Sequence, residues 1–179
     1  MAKDTKQSAR HKVIEVLNEA RAMELQAIHQ YMNQHYNLDD MDYGELAANV
    51  KLIAIDEMRH AEMFAERIKE LGGEPTTEKA AKVEREQAIE AIFPFNSELE
   101  DDTIITYNKF LQVCRESGDS TSLKLFEVIT DEEQAHLNYF DNVNGHIKKL
   151  GASYLARIAG TSSETGGFSK GFTTAQDGA

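Results

Sequence analysis

Alternating steps of four and three residues along the chain pick out four long apolar stripes. The first runs Val13, Leu17, Ala20, Glu24, Ala27, Tyr31, and the second Leu46, Val50, Ile53, Glu57, His60, Phe64. The third runs Ile89, Phe93, Asn96, Glu100, Thr103, Tyr107, Phe110, and the fourth Phe126, Ile129, Glu133, His136, Phe140, Val143, Ile147. That period keeps each stripe on one face of an α-helix, turned toward a core. Glycine and proline break the chain between stripes, at Gly44, at Gly72-Gly73 with Pro75, and at Gly118. The pattern predicts helices over about 8–37, 44–71, 86–117 and 120–149, with Pro94 kinking the third or standing near its start. Asp119 or Ser120 suits the cap of the fourth helix. The segment 153–160, SYLARIAG, reads as a short fifth helix.

The links between helices one and two and between three and four are short, which makes each pair a hairpin. Residues 73–85 form a longer link, able to cross over the bundle. The expected fold is all-α: a four-helix bundle with one long crossover and a short fifth helix at its C-terminal end. Residues 1–160 form the expected domain. Residues 161–179, rich in Gly, Ser and Thr, are expected to form a mobile tail.

Each stripe is broken near its middle by Glu, or by Glu with His three residues on. A buried carboxylate without a partner costs several kcal/mol. Four converging carboxylates would repel one another and take up protons at neutral pH. Neither Lys nor Arg stands in the stripes at that level. A pair of divalent metal ions would balance the four charges. Glu-x-x-His puts an oxygen and a nitrogen donor on one helix face. This mixture suits iron or manganese better than zinc, and the chemistry alone does not choose between the first two.

The chain also repeats itself. Glu24 to Glu57 and Glu100 to Glu133 are both separations of 33 residues. Tyr31 and Tyr107 follow their helix's Glu by seven, as do Phe64 and Phe140. Asp56-Glu57-Met58-Arg59-His60 resembles Glu132-Glu133-Gln134-Ala135-His136. Two similar hairpins related by a pseudo-two-fold axis imply a symmetric ion pair. One ion would take Glu24 and His60, the other Glu100 and His136, with Glu57 and Glu133 bridging. A single Glu-x-x-His in a Glu-rich helical chain would carry little weight; two copies, each with a Glu 33 residues upstream, carry much more.

Composition narrows the partners. With 19 basic and 31 acidic residues the net charge is −12, which argues against nucleic acid or an anionic membrane surface. No stretch approaches the roughly 20 apolar residues that span a bilayer. The N-terminal stretch MAKDTKQSARHK has no apolar signal region. One cysteine, Cys114, excludes a disulfide framework or a Cys-rich metal site within the chain, and is expected to be a buried thiol. Together these features predict a cytoplasmic protein.

The metal-site residues resemble those of the ferritin-like di-iron carboxylate proteins, and within that class the chain resembles a bacterioferritin. The matching segments are AMELQAIHQY around Glu24, AIDEMRHAEMFAERIKELGGEP around Glu57 and His60, and TDEEQAHLNYF around Glu133 and His136. The resemblance covers residues from about 5 to 160. It implies an iron-storage ferroxidase that oxidises Fe²⁺ with O₂ or H₂O₂ and deposits ferric mineral inside a homo-oligomeric shell of 24 subunits. It carries the ferroxidase ligands over to Glu24, Glu57, His60, Glu100, Glu133 and His136, with two iron ions per subunit. A small electron-transfer protein is a further expected partner.

Met58 matches the family's methionine that binds an iron porphyrin (a haem) between two subunits. By spacing it lies roughly 130° from the Glu57–His60 direction, so it should point out of the bundle, on a stripe with Lys51, Ala54, Ile55, Ala61, Glu62 and Ala65. An ordinary dimer-interface methionine is the plainer reading of that spacing. Tyr31 stands near enough to the centre to donate a hydrogen bond or an electron, or simply to pack in the core; the same choice holds for Tyr107. Leu52 stands where some family members carry an inner-surface His. Where some carry a Trp, this chain has Tyr139 in that region.

The rival readings are a rubrerythrin-like di-iron peroxidase and a non-catalytic haem electron carrier. The first usually adds a rubredoxin module with paired cysteines, which one cysteine cannot build.

Overall fold

The computed structural model describes residues 2–166 and 171–173. Five helices follow in order: α1 (Ala2–Asp40), α2 (Gly44–Glu70), α3 (Ile89–Glu116), α4 (Ser120–Leu150) and α5 (Ala152–Ile158). The four long helices form a bundle in which α1 packs chiefly on α2 and α3 chiefly on α4. Residues 71–88 cross from one hairpin to the other. The expected all-α fold with one crossover is the fold observed. Helix α1 begins earlier than its apolar stripe, and from Lys6 to Lys12 it is mostly polar and largely exposed.

Local chemistry sets the helix ends. At the end of α2, Gly72 has φ +74°, and Gly73 N–H donates to Ile68 O at 2.9 Å, closing the helix with a left-handed turn. Helix α4 starts at Asp119, whose side chain accepts from Ser122 N–H at 3.0 Å. Pro94 lies inside α3, more than a turn beyond its start. Helix α5 returns the chain to the α1–α2 turn, where Gly160 N–H donates to Asp42 O at 2.9 Å and Glu45 N–H to Thr161 Oγ1 at 2.8 Å. Gly44 fits there because a Cβ on it would stand 1.9 Å from Thr161 O.

The crossover is fastened to α1. Asn18 Nδ2 donates to Glu74 O at 3.1 Å, and its Oδ1 accepts from Thr76 N–H at 2.7 Å. Arg21 donates to Thr76 O at 2.9 Å. Gln30 donates to Glu84 O at 3.0 Å and accepts from Glu84 N–H at 2.8 Å.

The apolar interior comes in two halves. One holds Leu17, Ala20, Phe64, Phe110, Phe126 and Ile129; the other holds Leu38, Leu46, Ile53, Phe93, Phe140 and Val143. Between them lies a layer of buried polar side chains, the six Glu and His residues that interrupt the stripes. Gln34 and Asn96 form a second buried polar contact, exchanging two hydrogen bonds of 2.8 Å.

Residues 171–173 of the C-terminal stretch pack against the bundle, with Phe172 in the same apolar half as Phe140. Of the expected mobile tail 161–179, Thr161 is also held, by Glu45 N–H, while residues 167–170 and 174–179 lie outside the described residues.

Candidate metal centre

Each long helix delivers its Glu to the layer between the half-cores, and α2 and α4 add one His each. Two groups of donors result. Glu24, Glu57, His60 and Glu133 bring ligand atoms within 4.8 Å of one another, as do Glu57, Glu100, Glu133 and His136. Glu57 and Glu133 belong to both groups. All six residues are buried. The structure therefore brings together all six candidates expected at the centre.

The histidine rings have a consistent orientation. His60 Nδ1 lies 3.0 Å from Glu57 Oε2 and 3.0 Å from Glu133 Oε1. His136 Nδ1 lies 3.3 Å from Glu57 Oε1 and 3.3 Å from Glu133 Oε2. The Nε2 atoms face the other way, His60 toward Glu132 Oε2 at 3.2 Å and His136 toward Asp56 Oδ2 at 3.3 Å. A proton kept at Nε2 by these outer carboxylates leaves an Nδ1 lone pair for a cation. Glu57 Oε1 and Glu133 Oε1 are buried and make no well-aligned hydrogen bond, although His136 Nδ1 and His60 Nδ1 stand beside them. Buried carboxylate oxygens set against two ring nitrogens are a donor set that divalent iron or manganese would complete.

Two tyrosines cross the bundle to hold the remaining carboxylates. Tyr31 on α1 donates to Glu100 on α3, and Tyr107 on α3 donates to Glu24 on α1. Both are fully buried. The pairing gives Tyr107 the same structural standing as Tyr31. Spacing alone hinted at this by placing each Tyr seven residues after a Glu.

Without a cation the charges distort one another. Burial, then repulsion by Glu133 and Glu57, pushes the Glu24 carboxyl well above its ordinary range. Burial and the same two neighbours do this to Glu100. Burial alone would lower His60, but Glu133 and the hydrogen-bonded carboxylates around it outweigh burial and push it well up. His136 is raised in the same way, chiefly against burial by the Glu57 charge. Glu133 runs the other way: despite burial, His60 and His136 hold it well below the carboxylate range. Burial, with the Glu100 and Glu24 charges respectively, pushes Tyr31 and Tyr107 well up, so both stay protonated donors.

The stripes did not disclose the outer ring of charge. Asp56 is fully buried, and Arg59 joins it at 3.0 Å to Glu132 at 2.7 Å. The bond to His60 and the Arg59 charge help pull the Glu132 carboxyl down to about 2. The seams lack Lys and Arg as expected, yet the two histidines and Arg59 do supply positive charge beside them. The available signal was the acidic residue just before each Glu of the two matching motifs, Asp56 before Glu57 and Glu132 before Glu133.

A cavity of about 80 Å³ touches all four central carboxylates from the α1–α3 side, beside Met23 and Thr103. Met58 lies away from the centre and is 39% exposed. Its expected neighbours Ala54, Ile55 and Ala61 are buried rather than outward-facing. Ala54 belongs to the core, and Arg21 of α1 reaches the Ala61 carbonyl. Cys114 is buried, and burial pushes its thiol up to about 12, which makes it inert. His35 is buried with Nδ1 2.9 Å from Ala47 O, a structural role. Among the described residues no helix is long and apolar enough to cross a membrane.

Comparison with known proteins agrees with this geometry. Residues 14–150 match the family model of the ferritin-like domain. The bacterioferritin of Desulfovibrio desulfuricans is 68% identical over 164 residues, covering 92% of each chain. That of Streptomyces coelicolor is 35% identical over 147 residues, covering 82% of this chain and 88% of its own. A crystal structure of the Desulfovibrio desulfuricans protein, described as showing the diiron site in different catalytic states, superposes with a TM-score of 0.90 at 66% identity. It covers 93% of this chain and 98% of its own. Mycobacterium tuberculosis BfrA superposes with a TM-score of 0.78 at 32% identity, covering 82% of this chain and 93% of its own.

Proposed function

Because this chain belongs to the bacterioferritin family of ferritin-like proteins, we propose that it is an iron-storage ferroxidase whose centre is the six-residue Glu/His layer. The observation that carries this reading is the pair of donor groups sharing Glu57 and Glu133. Glu24 and His60 would hold one Fe²⁺, Glu100 and His136 the other, and Glu57 and Glu133 would bridge them. The bound iron supplies the electrons, and O₂ or H₂O₂ accepts them. The 68% identical relative supports iron over manganese.

The protein's own part is to bind, orient and neutralise. Tyr31 and Tyr107 each occupy one oxygen of a terminal carboxylate, which directs the other toward the ion. Glu132 and Asp56 hold the Nε2 protons of His60 and His136, so that ion binding costs only the Nδ1 protons. Four carboxylates stabilise the higher charge of ferric iron in a site that excludes bulk water. A redox role for Tyr31 fits its burial against Glu100. Ferric product passes to mineral inside a shell of 24 subunits, in the cytoplasm.

Met58 fits the second cofactor, an iron porphyrin between two subunits. Its exposed thioether would offer the porphyrin iron a soft donor, which would favour the ferrous form and suit it to passing electrons from a small electron-transfer protein.

The test is the rate of Fe²⁺ oxidation by purified protein against a Glu57→Ala, Glu133→Ala double variant. The reading requires the variant to fall to the protein-free rate, and equal rates would remove it. Retention of fast oxidation after porphyrin removal would exclude a purely electron-carrying role.

A further inference from the structure

The centre has two flanks, and they differ. The α1–α3 flank holds the cavity described above. On the α2–α4 flank, residues 171–173 lie across the outer carboxylates. Phe172 is 5% exposed, and its ring centroid stands 6.1 Å from His136 and 5.1 Å from Tyr139. Thr173 N–H donates to Asp56 Oδ2 at 2.8 Å. The Thr173 hydroxyl lies 3.0 Å from Glu132 Oε2 and 3.3 Å from Asp56 Oδ2. These carboxylates are the ones that face the Nε2 atoms of His60 and His136. Gly171 approaches so closely that a Cβ would stand 1.7 Å from Asp56 Oδ1.

We propose that Gly171–Thr173 is a built-in strap that seals the α2–α4 side of the centre, leaving the α1–α3 cavity as the way in for cations. Three features carry this. A buried apolar ring, anchored in the half-core beside Phe140 and Tyr139, covers His136 of the central layer. One hydroxyl and one amide fasten the strap to the two carboxylates that bridge α2 and α4 through Arg59. Glycine is the residue that fits where the backbone presses on Asp56. The ion route rests on the proposed metal-binding function, whereas the seal itself does not.

Two variants open the strap without touching the bundle. Gly171→Val puts a branched side chain where even one carbon collides, and a chain stopped after Gly166 removes the strap. The metal-free full-length protein and both variants are labelled with diethyl pyrocarbonate, and modification of each histidine is followed by peptide mass spectrometry. The exposed His11 serves as the internal reference. The expected result is at least a fivefold faster modification of His136 and His60 in both variants, with His11 unchanged. Equal rates for His136 in the three proteins would overturn the strap. In parallel, Co²⁺ is bound and then stripped with excess chelator, followed by its visible absorption. Stripping at least fivefold faster in both variants is expected, and unchanged stripping would overturn the sealed route. Failure of the full-length protein to bind Co²⁺ would defeat the metal-binding function instead, while the labelling still decides the seal.

Discussion

Tyr31 on α1 donates a hydrogen bond from its hydroxyl to Glu100 on α3, joining the two hairpins through the centre of the bundle. Tyr107 and Glu24 make the reciprocal link. Removing either hydroxyl leaves a buried carboxylate oxygen unsatisfied, at a cost of about 1–2 kcal/mol. Tyr31→Phe and Tyr107→Phe should therefore destabilise the metal-free protein by similar amounts in urea unfolding. Fe²⁺ oxidation falling further in Tyr31→Phe than in Tyr107→Phe would mark electron donation by Tyr31. A costless Tyr31→Phe would contradict the link itself.

Glu24 is a liability before metal binds. Burial and the neighbouring carboxylates raise its folded pKa, so its ionisation penalises the fold at every pH above the ordinary glutamate value. Glu24→Gln keeps an oxygen for Tyr107 and loses the charge. At pH 7 the metal-free variant should gain about 1 kcal/mol. The rise in melting temperature on adding Co²⁺ should shrink at the same time. Calorimetry with and without metal checks both, and a less stable metal-free variant would contradict the charge argument.

Asp119 joins the start of α4 to α2. It caps Ser122 N–H and accepts two bonds of 2.9 Å from Arg67. Burial alone would raise its carboxyl, but Ser122 and Arg67 hold it below the usual range. Its contribution is fully present above the unfolded aspartate pKa and is lost as pH falls through the folded value. Asp119→Ala should cost about 1–2 kcal/mol at pH 7. The gap from the unmodified protein should close below about pH 4. Thermal melts at a series of pH values measure this, and a gap independent of pH would refute the assignment.

If Met58 holds a porphyrin as proposed, Met58→Ala should remove most of the porphyrin and its visible absorption while leaving Fe²⁺ oxidation unchanged. Purifying both proteins under identical iron and porphyrin supply and comparing their spectra decides this. Unchanged absorption would leave Met58 as an interface residue.

The positions of Glu24, Glu57, His60, Glu100, Glu133 and His136 were readable from sequence because helical period converts spacing into direction. Four interrupted stripes in one bundle have a single place to meet. Asp56, Arg59 and Glu132 were harder, since a charge one step off an apolar stripe looks like solvated surface until the packing of α2 against α4 is known. Phe172 was not readable at all. Its neighbours in sequence are Gly, Ser, Thr and Lys, and nothing in that composition anticipates an aromatic ring on His136. The burial of Ala54, Ile55 and Ala61 escaped for a related reason: single-helix geometry gives an angle but not the width of the neighbouring helix. Pro94 inside α3 was one of two readings, and the sequence had no means of choosing.

The side chains of Asn18, Arg21 and Gln30 hold the crossover along α1 over its whole course. The two hairpins are alike, so the second hairpin of one copy could in principle complete the first hairpin of another, with only residues 71–88 deciding which. Exchange between chains would require the crossover to leave α1 and give up those bonds together. The fastening thus works against domain swapping and keeps all six central donors on one polypeptide.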